Sequence, residues 1–104
     1  MSERLDALRG MLDDDPDDAF TRYAYAMELR SLERTDEALV EFERLVATSG
    51  DYLATYYQYA RALQARGRTA EAVEAARRGV AVATAQGDGH TQAELEDLLG
   101  ELEG

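Results

Sequence analysis

The sequence predicts an all-α solenoid built from antiparallel helix pairs, and three observations carry that prediction. The chain of 104 residues matches itself at an offset of 34 residues, a period suited to a two-helix unit. Its apolar residues recur at helical spacing, and its single proline and most glycines fall where helices would end. The segment Arg34-Thr35-Asp36-Glu37-Ala38 returns as Arg68-Thr69-Ala70-Glu71-Ala72. Tyr23, Tyr25, Ala26 and Leu29 return as Tyr57, Tyr59, Ala60 and Leu63, and Leu45 aligns with Gly79. One such unit leaves an apolar face uncovered, so stacking of neighbours supplies the core.

Six helices are predicted in order. Leu5, Leu8 and Leu12 form one stripe over residues 3–13. The run Asp13-Asp14-Asp15-Pro16-Asp17-Asp18 then places proline in a first helical turn, with aspartates against the helix dipole. As a calcium loop this run fails, because the central glycine and distal glutamate of an EF-hand are missing. The second helix is predicted over 17–32, with Phe20, Tyr23, Met27 and Arg30 on one face and Tyr25, Ala26 and Leu29 on another. Thr35 is expected to cap a third helix through Ala47, burying Ala38, Leu39, Phe42, Leu45 and Val46. Ser49-Gly50-Asp51 leads into a fourth helix over 52–65, which Gly67 ends. Thr69 starts the fifth, through Ala85, and Gln86-Gly87-Asp88-Gly89-His90 is the strongest turn signal. The sixth helix opens with Thr91 and Glu94 at capping-box spacing. Its apolar stripe, Leu95, Leu98, Leu99 and Leu102, lies opposite an acidic face, as the open end of a stack requires.

Composition narrows the function class. The net charge is −11, which disfavours nucleic acid and anionic membrane surfaces as partners. No apolar run is long enough to span a bilayer and no signal-peptide pattern opens the chain, so a cytoplasmic location is expected. Every basic residue is arginine, and lysine, asparagine and isoleucine are absent. A GC-rich coding sequence explains this bias, and adaptation to high salt is the alternative. A melting temperature that rises between low salt and molar KCl is expected only under the second explanation.

The two units resemble the tetratricopeptide repeat family, in its small bacterial form. The second unit carries the resemblance in Tyr56, Tyr59-Ala60, Leu63 and Ala72, and the first in Tyr25-Ala26, Leu29, Ala38 and Phe42. Counting back one period makes 3–16 a half-repeat, followed by repeats over 17–50 and 51–86 and a capping helix over 89–103. Four positions depart from the pattern. Arg22 replaces a large apolar residue, Glu33 stands where the second unit has Gly67, and Ala76 and Gly79 replace Phe42 and Leu45. Small residues at 76 and 79 suit close approach of the capping helix.

The resemblance implies a non-catalytic adaptor that binds a protein or peptide in a concave groove lined by the first helix of each repeat. Carried over to this sequence, the groove residues are Phe20, Tyr23, Met27 and Arg30, then Ala54, Tyr57, Arg61 and Gln64. Tyr25, Tyr56 and Tyr59 belong instead to the core. Arg30 and Arg61 point to a ligand with an acidic group or a free C-terminus, unless they form ion pairs on their own helices. The family's lysine and asparagine clamp for C-terminal tails cannot form here. A monomer or weak homodimer is expected. The alternative function is self-association without a foreign ligand, through a helix face that includes Met11 and Leu12 of the first helix, which lacks its repeat partner. Catalysis has little support. His90 sits in a turn, Ser2, Ser31 and Ser49 lack a neighbouring base, and Glu37, Glu41, Glu71 and Glu74 read as solvated surface charge. Gly87-Asp88-Gly89 is too short for a phosphate loop, and no cofactor or metal site is predicted.

Overall fold

The computed structural model describes residues 2–104 and contains, among them, six α-helices and no strand. They are α1 (Glu3–Asp14), α2 (Ala19–Ser31), α3 (Thr35–Thr48), α4 (Ala54–Ala65), α5 (Thr69–Gln86) and α6 (Gly89–Glu103). This is the predicted all-α helical repeat fold. The helices form two compact units, Met1–Tyr52 and Leu53–Gly104. In the first, α2 packs on both α1 and α3; in the second, α5 packs on both α4 and α6.

Leu5, Leu8 and Leu12 are buried, so α1 uses the predicted stripe. Asp15 ends this helix outside the helical region, at φ −141° and ψ 82°, consistent with the bar on helical backbone before a proline. Pro16 is therefore not in a first helical turn. It lies with Asp17 in a turn closed by the Asp18 amide donating to the Asp15 carbonyl, and α2 begins at Ala19. Asp18 is its N-cap residue, and the Thr21 hydroxyl donates to the Asp18 carboxylate. One period later the equivalent positions are Tyr52 and Thr55. Tyr52 offers Thr55 no carboxylate, and α4 starts at Ala54, two residues later than predicted, with Leu53 as its N-cap residue. The Thr55 hydroxyl is buried there without a hydrogen-bond partner.

The repeat is most visible in the turns. After α2 the Arg34 amide donates to the Leu29 carbonyl and the Glu33 amide to that of Arg30. After α4 the Arg68 amide donates to Leu63 and the Gly67 amide to Gln64. Both are Schellman closures, which need a left-handed residue at the first position past the helix. Gly67 supplies it at φ 73°, and Glu33 is forced into it at φ 62°. Left-handed backbone costs a residue with a Cβ roughly 1 kcal/mol more than it costs glycine. Glu33→Gly is therefore expected to raise stability by about 0.5–1 kcal/mol, measured as an upward shift in the urea midpoint.

These closures also correct the start of α3 and α5. Thr35 and Thr69 are the first helical residues, and Arg34 and Arg68 are the N-caps. Each of these arginines closes the preceding helix through its amide and opens the next through its carbonyl, which accepts from Ala38 or Ala72. Its guanidinium then grips the glutamate three residues on, Glu37 or Glu71, through two hydrogen bonds. Each guanidinium, through that hydrogen bond above all, holds its glutamate below the usual carboxylate range.

In the second unit the core is closed by small residues. Ala72, Ala75, Ala76, Gly79 and Ala83 are the buried face of α5. A Cβ on Gly79 would lie 2.6 Å from Tyr56 Cβ and 2.9 Å from Leu95 Cδ1. Glycine thus admits α4 and α6 to the same point of α5. Leu95 and Leu98 are fully buried, and Leu99 and Leu102 are partly covered. Gly87, at φ 71°, ends α5 with another Schellman closure. The N-cap of α6 is Asp88, not Thr91; its carboxylate accepts from the Thr91 amide at 3.0 Å and the Thr91 hydroxyl at 3.0 Å. The Thr91 amide holds this carboxyl below the ordinary aspartate value. His90 is an exposed residue in the first turn of α6. Val46 is only partly covered.

Candidate ligand-binding surface

On α2 the spacing of Phe20, Tyr23, Met27 and Arg30 puts the four side chains on one face. Phe20, which is 66% exposed, projects most. Tyr23 is half-buried and braced, with its ring centroid 6.4 Å from that of Phe42 and 5.8 Å from that of Tyr52. Burial pushes its phenol up, and the Arg30 charge works in the opposite direction. Tyr23 therefore offers a held aromatic edge whose position depends on the buried Phe42 behind it. Met27 and Arg30 are half-buried beside it.

On α4 the predicted residues form one hydrogen-bonded cluster, and Ala54 is exposed at the start of the helix. The Arg61 guanidinium lies 5.4 Å from the Tyr57 ring centroid and donates to the Tyr57 hydroxyl and to Gln64 Oε1. It also donates to Glu101 Oε2 at 2.8 Å. The Glu101 bond raises the Arg61 pKa most, followed by the Tyr57 bond. Arg61 is thus engaged with a carboxylate of α6. This is neither the ion pair within its own helix nor the vacant cation that the sequence allows. An incoming acidic group would exchange with Glu101.

Other sequence expectations are corrected here. Tyr56 is core, but Tyr25 and Tyr59 are half-buried, and the Tyr25 hydroxyl accepts from Arg9 at 3.1 Å. Glu41 is not solvated surface charge. Its side chain is largely covered and pairs with Arg22, the position where the repeat pattern has a large apolar residue. Leu12 is buried, leaving Met11 as the exposed apolar residue of α1. Among the described residues no group of three acidic, histidine or cysteine side chains is placed to hold a metal ion. No described helix is long and apolar enough to cross a membrane.

Solved structures decide the family. The solution structure of a tetratricopeptide repeat domain protein from Salinibacter ruber superimposes with a TM-score of 0.81 at 37% identity, covering 86% of this chain and 90% of that one. The chain belongs to the tetratricopeptide repeat family. A crystal structure of a Salinibacter ruber tetratricopeptide repeat domain protein agrees, at TM-score 0.81 and 37% identity over 84% of this chain and 98% of that one. A protein from Bordetella parapertussis has the same fold, with TM-score 0.83 and 25% identity over 99% of this chain and 90% of that one. The TPR2B domain of yeast Sti1, in its complex with pHsp70, matches in fold at TM-score 0.89 and 20% identity, over 95% of this chain and 79% of that one. No family model and no curated protein matches the chain. Within the tetratricopeptide pattern, Arg22 and Glu33 are the departures that change local structure, one through an ion pair and the other through a strained turn.

Proposed function

We propose that this tetratricopeptide repeat protein is a non-catalytic adaptor that binds a protein or peptide along the first helices of its repeats. In the first unit the candidate ligand contacts are Phe20, Tyr23, Met27 and Arg30 of α2, and in the second they are Tyr57, Arg61 and Gln64 of α4. The observation that carries the reading is the Tyr57–Arg61–Gln64 cluster, because it already grips one carboxylate, that of Glu101. A ligand with an acidic group or a free C-terminus would be held by the same Arg61 guanidinium, which Tyr57 and Gln64 orient. The tetratricopeptide domain of Sti1 was solved with pHsp70, so peptide partners suit the fold.

Capture of partners on immobilised protein, followed by calorimetric titration, tests the reading. Tyr57→Ala and Arg61→Ala are expected to weaken binding at least about tenfold, the loss typical of an aromatic or arginine hot spot. Glu101→Gln serves as the control, since it removes the internal carboxylate and leaves the donors in place. It should tighten binding or leave it unchanged. Unaltered affinity in both the Tyr57 and Arg61 variants refutes the assignment.

Self-association is the second reading, favoured by Met11, which is 52% exposed on α1. Sedimentation equilibrium separates the two, because a mass that rises with concentration supports self-association and a constant monomer mass rejects it.

A further inference from the structure

Away from the α2 stripe, helices α1, α2 and α3 enclose a cleft of about 320 Å³. Three arginines line it: Arg9 from α1, Arg22 from α2 and Arg44 from α3. Together with Asp13 and Glu41, the carboxylates in the lining, they leave one net positive charge there in a chain of net charge −11.

The three arginines differ in how they are engaged. Arg22 is held on the floor, bonded to Glu41 and to the Pro16 carbonyl. Arg9 is bonded to a neutral acceptor, the Tyr25 hydroxyl, with its guanidinium 5.9 Å from that ring centroid. Arg44 makes no side-chain hydrogen bond or ion pair among the described residues. By contrast Arg4, Arg34, Arg61, Arg68 and Arg77 each stand within 4 Å of a carboxylate. With carboxylates twice as numerous as arginines, two guanidinium groups without one, facing a single cleft, form a distinct feature.

We propose that this cleft is a binding site for a phosphoryl group. The Tyr25 hydroxyl accepts from Arg9, so its own hydrogen is available as a further donor. A carboxylate is satisfied by one guanidinium fork, whereas a phosphoryl dianion has three terminal oxygens and takes donors from several arginines at once. The cleft exceeds a bare phosphate in size, and Leu12 leaves an apolar wall for whatever carries the group. Asp13 and Glu41 oppose the ligand, but the three arginines outnumber them and Glu41 is already paired with Arg22.

Side-chain Nε–Hε resonances in ¹H–¹⁵N spectra, at constant ionic strength, test the proposal with three probes: inorganic phosphate, O-phosphoserine and acetate. Saturable shifts are expected at Arg9, Arg22 and Arg44 with both phosphate probes, and binding of acetate at least about tenfold weaker. Tighter binding of O-phosphoserine than of phosphate identifies a phosphorylated side chain as the source, and equal binding identifies free phosphate. Arg9→Gln and Arg44→Gln, both exposed and outside the core, should each lower affinity about tenfold, while Arg77→Gln should not. Shifts that stay linear with concentration, or that spread equally to Arg77, overturn the proposal. So does acetate binding as tightly as phosphate.

Discussion

Gly79→Leu is expected to destabilise the protein by about 3 kcal/mol or more, the upper range for overpacking a closed core. The substitution copies Leu45, its counterpart one period earlier, so repeat matching alone would treat it as a repair. Leucine also has the higher helix propensity, by about 1 kcal/mol. The steric cost outweighs that gain because the blocking atom is Tyr56 Cβ, 2.6 Å from the new carbon and fixed to the α4 backbone. Leu95 Cδ1, at 2.9 Å, is the end of a side chain, but it is fully buried and has little freedom to turn away. Thermal unfolding followed by circular dichroism measures the effect. A loss of this size lowers the midpoint by more than about 10 °C in a domain of this length. A midpoint at or above that of the unaltered protein would contradict the close packing of α4, α5 and α6.

The second large effect is expected from Phe42→Ala. Phe42 is fully buried in the first unit, and its removal leaves a cavity that aromatic truncations typically register as about 3–5 kcal/mol. The substitution also removes the ring that braces Tyr23. Urea unfolding measures the stability, and the near-ultraviolet tyrosine signal should weaken in the folded state as Tyr23 loses its fixed surroundings. A loss below about 1 kcal/mol would show that the site refills and that Phe42 does not organise the unit.

What the sequence revealed and what it hid follow from the range of the forces involved. Leu5, Leu8 and Leu12 announce α1 because burial of a helix face repeats every turn. Gly67 and Gly87 mark helix ends because left-handed backbone favours glycine, and Glu33 betrays the same turn only through its alignment with Gly67. Arg34 and Arg68 were not legible as N-caps, since arginine has no intrinsic capping preference. They occupy those positions because a Schellman closure delivers them there.

The site was less legible than the fold for a related reason. Positions such as Tyr23 and Tyr57 follow from the repeat, but their partners do not. Arg61 is joined to Glu101 of α6 across 40 residues. Arg22 appears in the sequence as a departure from an apolar position, and only the packing of α2 on α3 shows Glu41 beside it. No periodicity encodes such pairs, because each depends on where two separately folded helices meet.

The most direct test maps a captured peptide onto backbone ¹H–¹⁵N spectra. Binding along the first helices predicts perturbations concentrated at Tyr23, Met27 and Arg30 on α2 and at Tyr57, Arg61 and Gln64 on α4, with the Arg61 side chain shifting as it exchanges Glu101 for the ligand. Perturbations confined to α3 and α5, or centred on Met11, would contradict it.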